Sequence, residues 1–460
     1  MKNVPIKFEI YGLFGEYDVH LPLRNPVSIF LGENGMGKTT ILSCLYYVLS
    51  AKIEQLSTIS FKRIAIFFKN GEQLSLEKKD LVAYIEKYVD DGRRYHYNLD
   101  HFISDKEMMS LRKQITLTGV YDSNILEKYI YRFSEIYGVP KRIAEREFIR
   151  YLEVYDYEGK SGNSENALAF RDKITNLVGY DILYFPTYRR IEEDMSKLGF
   201  ALEDDRQRLK GKLIQFGMTD VDAAVKDILS QIKSSAINGF TKMTGLLLKQ
   251  YLSEEPNIYN TFDNRDIDIN KLRISLDRIG DEIAQDDKEN IIWSVQNGEI
   301  YSQEKSYLRN LINKLIQSYD KQNIYDSRVR NFVKVCNRYL SNKKYYYDES
   351  KVEISIYRTD LVGDIDKSKV IYTQALSSGE KQIISIFSKL YLEKSEKCFV
   401  LFDEPELSLS IQWQEKFLPD IIRSNKCVQL IAVTHSPFIF DNEFDEYAQD
   451  MGECLIWTGR

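Results

Sequence analysis

The chain has 460 residues, of which 43% are hydrophobic and 29% charged, a balance that supports a globular core and excludes wholesale disorder. At ~150 residues per domain the length suggests about three folding units. The formal net charge of −6 lacks the basic excess that marks nucleic-acid binders.

The chain starts with an alternating segment, Ile6-Lys7-Phe8-Glu9-Ile10, which lacks the apolar core of a signal peptide. Val27-Ser28-Ile29-Phe30-Leu31 is a short apolar run that predicts a buried strand. A glycine-rich turn follows, and Thr39 to Leu49 has helical spacing. Ile64 to Phe68, the Asn70-Gly71 turn and Leu74 to Leu76 predict a hairpin. Residues 82–181 read as mainly helical, broken by an exposed loop at Gly159 to Ser164. A return strand, Ile182 to Phe185, opens a short segment, 182–199, that carries Arg189 and Arg190. Residues 200–345 are again mainly helical. Thr219 is a candidate cap with Asp222 at the capping-box position, and Val221, Val225, Ile228 and Ile232 share one apolar face. Alternation at Val352, Ile354 and Ile356 predicts that strands return, and from 346 to 460 the pattern reads as alternating strand and helix, as in a parallel sheet. The expected fold is therefore α/β. Residues 1–81 and 346–460 form two halves of one domain, split by a large, mainly helical insertion suited to oligomerisation or partner binding.

The five cysteines (Cys44, Cys336, Cys398, Cys427, Cys454) are scattered and form no CxxC pair, and there are only four histidines. Free thiols in a reducing compartment are expected, and a zinc site is not. No apolar run reaches the ~18 residues of a membrane helix, so a cytoplasmic protein is expected.

Gly32-Glu33-Asn34-Gly35-Met36-Gly37-Lys38-Thr39 fits GxxxxGK[ST] between a predicted strand and a predicted helix. This chemistry needs that spacing. Glycines let consecutive N–H groups turn toward phosphates, and the helix N-terminus, with Thr40 beside it, favours the anion. Lys38 is expected on the β- and γ-phosphates of ATP, and the Thr39 hydroxyl on Mg²⁺. Cys398 to Phe402 is an apolar strand ending in Asp403 and Glu404. Many strands end in solvated acids, but after a P-loop this pair reads as Walker B. Asp403 is then a second group in the Mg²⁺ shell, and Glu404 is the base for the attacking water. Leu376-Ser377-Ser378-Gly379-Glu380-Lys381-Gln382 precedes a predicted helix, and by itself it reads as an ordinary serine-capped start. Pro405-Glu406-Leu407-Ser408-Leu409 follows the acids, and Leu430 to Thr434 is a strand ending at His435. A lone histidine at a strand end is usually structural.

Taken in chain order, these motifs resemble those of ABC-type ATPases of the SMC-head, RecF-like and overcoming-lysogenisation-defect groups. The resemblance implies that Ser377, Ser378, Gly379 and Glu380 form a signature that meets the γ-phosphate held by a second copy, so that sites are completed at a homodimer or higher homo-oligomer. It implies that 405–409 is the D-loop and His435 a switch histidine reporting on the γ-phosphate. Lys38 and Ser377 are separated by most of the chain, unlike in ABC transporter subunits. Pro186-Thr187-Tyr188-Arg189-Arg190, Phe216 to Val221 and Asp403-Glu404-Pro405-Glu406-Leu407 also look like the RecF-like and overcoming-lysogenisation-defect groups, many members of which serve bacterial anti-phage systems. PARIS-type ATPases are the nearest resemblance and Septu-type second. In PARIS-like systems this implies a Toprim nuclease or similar effector and a phage-encoded trigger protein as partners. The given sequence stops soon after His435 without a nuclease-like cluster, so a separate polypeptide is expected to cut. The pattern departs from ABC ATPases in having no glutamine loop. Arg189 or Arg190 is a candidate for phosphate or the partner copy, and a surface pair is the equal alternative. Phe14 and Tyr17 are candidates for stacking on adenine. The alternative class is a RecF-like ATPase that binds DNA in repair or recombination, which the acidic balance disfavours.

Overall fold

A computed structural model gives the fold and describes residues 3–24, 26–89, 130–132, 134, 162–186, 218–252, 267–360, 362–393 and 397–458. The chain opens with β1 (Pro5–Leu13), β2 (Tyr17–Pro22), β3 (Val27–Leu31), helix α1 (Lys38–Leu49), the hairpin β4 (Arg63–Phe68) and β5 (Gln73–Glu77), helices α2 (Lys78–Tyr84) and α3 (Ser164–Val178), and β6 (Asp181–Phe185). Helices α4 (Met218–Leu252), α5 (Ile269–Ile279), α6 (Gln285–Gln296) and α7 (Ser306–Cys336) follow, then β7 (Lys343–Asp348), β8 (Glu353–Thr359), β9 (Ile365–Ile371) and α8 (Ser378–Tyr391). The last stretch holds β10 (Cys398–Asp403), α9 (Ile411–Ile422), β11 (Cys427–Thr434), β12 (Ala448–Asp450) and β13 (Leu455–Trp457). The chain divides into two compact units, Met1–Leu209 with Lys397–Arg460, and Lys210–Glu396. No helix among the described residues is long and apolar enough to cross a membrane.

In the first unit, one five-stranded sheet is antiparallel, in the order β13-β2-β1-β4-β5. The other has the order β12-β3-β11-β10-β6 and is parallel throughout. Strand β10 is buried at every position, which is why it reads as a continuous apolar run rather than an alternating one. The inner faces of the two sheets, through Phe8, Ile10, Ile64 and Ile66 on one and Phe30, Phe399, Leu401 and Ile431 on the other, share one core with Ile41, Leu42 and Leu45 of α1. Each such side chain contributes about 1.5–3 kcal/mol on burial, so α1 is held firmly by its apolar face. On the parallel sheet's other face, Phe402 meets Phe417 of α9 edge to face at 5.3 Å. The parallel register sets Leu31 opposite Thr434 and Asp403 opposite Val433. The ends of β3, β11 and β10 therefore lie side by side.

In the second unit, α7 packs against α4 and α8. A buried ion pair, Arg278 to Asp326 at 2.6 Å, ties α5 to α7, and the Tyr347 hydroxyl donates to the same carboxylate. Buried pairs of this kind fix geometry more than they add stability.

Several expectations change here. Residues 343–371 form a three-stranded antiparallel sheet, β7-β8-β9, rather than the start of a parallel one. The period-2 pattern reflects a sheet with one wetter face. Val352 lies outside the strands, with φ of 53°. Because α8 packs on α4 and α7, residues 346–396 group by their contacts with the helical unit. Helix α4 is already running at Met218, so Thr219 is a helical residue, and Asp222 accepts from the Thr373 hydroxyl at 3.3 Å. Val221, Ile228 and Ile232 do form its buried face. Asn163, in the anticipated loop, caps α3 by accepting from the Glu165 N–H. Arg189, Arg190, Phe216 and Gly217 lie outside the described residues.

Candidate active site

The loop between β3 and α1 owes its shape to its glycines. Gly35 and Gly37 hold φ of 92° and 74°, the left-handed region that side chains with a Cβ avoid. A methyl group at Gly37 would also stand 2.7 Å from the Tyr17 hydroxyl, and one at Gly32 would stand 2.9 Å from Met451 Cβ. Backbone therefore occupies space that no larger residue can share. Glu33, Asn34 and Gly35 are exposed at the loop tip, whereas Met36, Gly37, Thr39 and Thr40 are half-buried.

Lys38 is only 5% exposed. Its ammonium donates to Gly32 O and Glu33 O, each at 2.9 Å, and lies 2.7 Å from His435 Nε2. Burial pushes the Lys38 ammonium below its ordinary range, against the opposing pull of Glu404, Asp403 and Glu406. His435 Nε2 also lies 3.2 Å from Glu404 Oε1. One nitrogen of a neutral imidazole either accepts from Lys38 or donates to Glu404. The ring thus stands between the cation and the acid, with its tautomer set by whichever partner holds it.

Asp403 ends β10, is 2% exposed, and accepts from the Thr39 hydroxyl at 3.1 Å. One hydroxyl and one carboxylate fit Mg²⁺, which keeps several waters and takes phosphate oxygens rather than an all-protein cage. Among the described residues no group of three or more acids, histidines and cysteines could hold a metal without such help. Glu404 has φ of 53°, and its N–H donates to Val433 O at 2.9 Å. A non-glycine residue held there stores strain that the surrounding structure must over-determine, a pattern common at reactive sites. Glu406, 8% exposed, accepts from the His435 N–H at 2.8 Å. Burial raises its carboxyl, although that hydrogen bond works the other way.

The fold thus brings Lys38, Thr39, Asp403, Glu404 and His435 together within the first unit. The residues expected to form the signature belong to the second. There Ser377 and Ser378 are exposed, and Gly379 and Glu380 buried, at the start of α8. Ser377 caps that helix in a full capping box with Glu380. Glu380 also pairs with Lys343 at 3.0 Å, a partner that sequence reasoning missed. Of the two aromatic candidates, Tyr17 is 3% exposed and packed against both Phe14 and Trp457. Phe14 is 42% exposed, has φ of 55°, and would stand 3.4 Å from a methyl group at Gly37. Sequence reading also missed the roles of Glu406 and Met451, whose importance lies in contacts with distant segments that leave no local pattern.

The family model described as AAA ATPase domain matches residues 11–440. Similar solved structures include the Smc head domain with an extended coiled coil bound to the C-terminal domain of ScpA, from Pyrococcus furiosus, at 14% identity over 95% of this chain and 91% of that chain, with a TM-score of 0.33. The SmcHead bound to the C-winged helix domain of ScpA is 13% identical over 95% and 90% of the two chains, with a TM-score of 0.32. The Smc head domain with a coiled coil and joint from Pyrococcus yayanosii is 15% identical over 95% and 93%, with a TM-score of 0.30. No curated protein matches. With a P-loop, an acid-ended strand and a histidine brought to adjacent strand ends, and a family match over nearly the whole length, the chain belongs to the AAA ATPase domain family.

Proposed function

We propose that this chain binds ATP with Mg²⁺ and hydrolyses it in composite sites completed by a second copy, and that it serves as scaffold and sensor in an anti-phage complex controlling a separate effector. The observation that carries the ATPase reading is the convergence of Lys38 and Glu404 on the His435 imidazole, each within hydrogen-bond reach of its Nε2. In this reading Lys38 exchanges the Gly32 and Glu33 carbonyls for β- and γ-phosphate oxygens. Thr39 and Asp403 would hold Mg²⁺, which supplies neutralisation of phosphate charge. Glu404 accepts the proton of the attacking water, and His435, released from Lys38, meets the γ-phosphate.

Support for the composite site is the exposure of Ser377 and Ser378 at the start of α8, since a helix N-terminus suits an anion. The defence role rests on the motif resemblance. PARIS-type ATPases are the nearest candidates and Septu-type ATPases second, with a Toprim nuclease or similar effector and a phage trigger protein as partners. The expected location is the cytoplasm.

The test uses Glu404→Gln, which keeps shape and loses the base. With MgATP it is expected to retain nucleotide, shift from monomer to dimer in light scattering, and turn over at least about a hundredfold more slowly. Near wild-type turnover removes Glu404 from this role, and an ATP-loaded species that stays monomeric counts against the composite site. Co-purification with the products of adjacent genes tests the effector. Salt-dependent DNA binding would instead favour the RecF-like repair class.

A further inference from the structure

The loop that follows Glu404 is joined to the turn that carries His435 by two separate side-chain ties. Gln414, on the first turn of α9 and 9% exposed, donates its amide to Leu409 O at 3.0 Å and Glu406 O at 3.4 Å. Its amide oxygen accepts from the Ser436 hydroxyl at 2.7 Å. The Glu406 carboxylate accepts from the His435 N–H at 2.8 Å. The loop between them is kinked at both ends, with Glu404 at φ of 53° and Ser408 at 67°. Asn442, beyond that helix, adds a further tie to it by donating to Glu415 O, and donates to Ile439 O as well.

The Gln414 amide is bonded at both its donor and its acceptor, and such bonds fix position more narrowly than apolar packing does. A methyl surface tolerates sliding, whereas an amide bonded at both its donor and its acceptor does not. The place held so narrowly is the turn whose imidazole stands 2.7 Å from Lys38 and 3.2 Å from Glu404. We propose that Gln414 and Glu406 are positioning residues for hydrolysis, bracketing the 405–409 loop to the His435–Ser436 turn so that the imidazole stays registered on Glu404. This rests on the reading that Glu404 and His435 act in ATP hydrolysis. Neither residue is placed on the nucleotide itself, so their loss falls on turnover rather than on binding.

The test compares Gln414→Leu, Ser436→Ala, Glu406→Ala and Glu406→Gln, each alone and in a His435→Ala background, by steady-state ATPase rate and by affinity for a non-hydrolysable ATP analogue. Misplacement of a reacting group by about 1 Å costs on the order of a hundredfold. Gln414→Leu is therefore expected to lower kcat at least about tenfold with analogue affinity within about twofold of wild type. Ser436→Ala removes one bond and is expected to lower kcat by less. It carries the test if Gln414→Leu does not fold. Glu406→Gln keeps an acceptor for the His435 N–H and is expected to rescue most of the rate lost in Glu406→Ala. In the His435→Ala background neither the Gln414 nor the Ser436 substitution is expected to slow turnover further. Full additivity in that background, or a fall in analogue affinity matching the fall in kcat, overturns the bracket while leaving the ATPase reading intact. If His435→Ala itself turns over at the wild-type rate, the role of His435 falls and the bracket with it.

Discussion

Replacing Lys38 with alanine removes the cation that the fold has drawn most deeply into the loop. Its ammonium stands 2.9 Å from two backbone carbonyls and 2.7 Å from His435, and in the proposed function those contacts are exchanged for phosphate oxygens when ATP binds. Hydrogen bonds to charged groups are worth about 1.5–3 kcal/mol each, so losing two costs about 3–6 kcal/mol. At 1.4 kcal/mol per decade the affinity falls by at least about a hundredfold. The empty protein is expected to lose little stability, because burial already disfavours the Lys38 ammonium more than the nearby carboxylates favour it. The assay is thermal unfolding with and without MgATP, with calorimetry for affinity. At ATP a hundredfold above the wild-type Kd, ligand stabilises the wild type by about 2.7 kcal/mol, whereas a hundredfold weaker variant retains about 0.4 kcal/mol. Lys38→Ala chains that keep the wild-type thermal shift and affinity would refute the assignment of this loop as the phosphate cradle.

Ser377→Arg is expected to leave ATP binding intact and abolish hydrolysis; mixed in equal amounts with Lys38→Ala it is expected to restore about a quarter of wild-type turnover, since half the dimers are hybrids with one good site. A serine acting in its own subunit gives no recovery at any ratio. Phe14→Ala is expected to weaken ATP binding about tenfold, within the range for loss of a base-stacking ring, while leaving tripolyphosphate binding unchanged. Equal loss for both ligands would place Phe14 in the loop's architecture instead. Glu9 is the clearest source of acid sensitivity: burial raises its carboxyl, but hydrogen bonds from Lys7, Tyr11 and His20 prevail and hold it at about 2, against 4.5 ordinarily. A depressed carboxyl stabilises the fold above the ordinary value and loses that contribution as pH falls toward 2. Allowing for the exposure of Lys7, Glu9→Gln is expected to cost about 1–2 kcal/mol at pH 7. In denaturant titrations the gap from wild type should close between pH 4.5 and 2; a pH-independent gap would show that packing, not charge, is what Glu9 supplies.

What the sequence determined by itself is the local chemistry. Gly32 to Thr39 forms a strand–turn–helix cradle because the requirement is local: glycines at fixed offsets, then a helix start. The apolar run ended by Asp403 was legible because a strand buried on both faces allows no polar position before its end. The hairpin of β4 and β5 was legible from its turn, since Asn70 and Gly71 sit where the chain must reverse and Gly71 takes φ of 87°. Tertiary structure alone decided which of these pieces meet. The order β3-β11-β10 puts His435 beside Lys38, although they are 397 positions apart. Parallel neighbours are joined by no turn, so nothing local encodes their adjacency. The grouping of 346–396 with the helical unit, the burial of Tyr17 in place of Phe14, and the grip of Glu406 and Gln414 on the His435 turn have the same origin. Each depends on a partner supplied by a distant segment, and the energy of a buried contact carries no imprint on the spacing of the residues that make it.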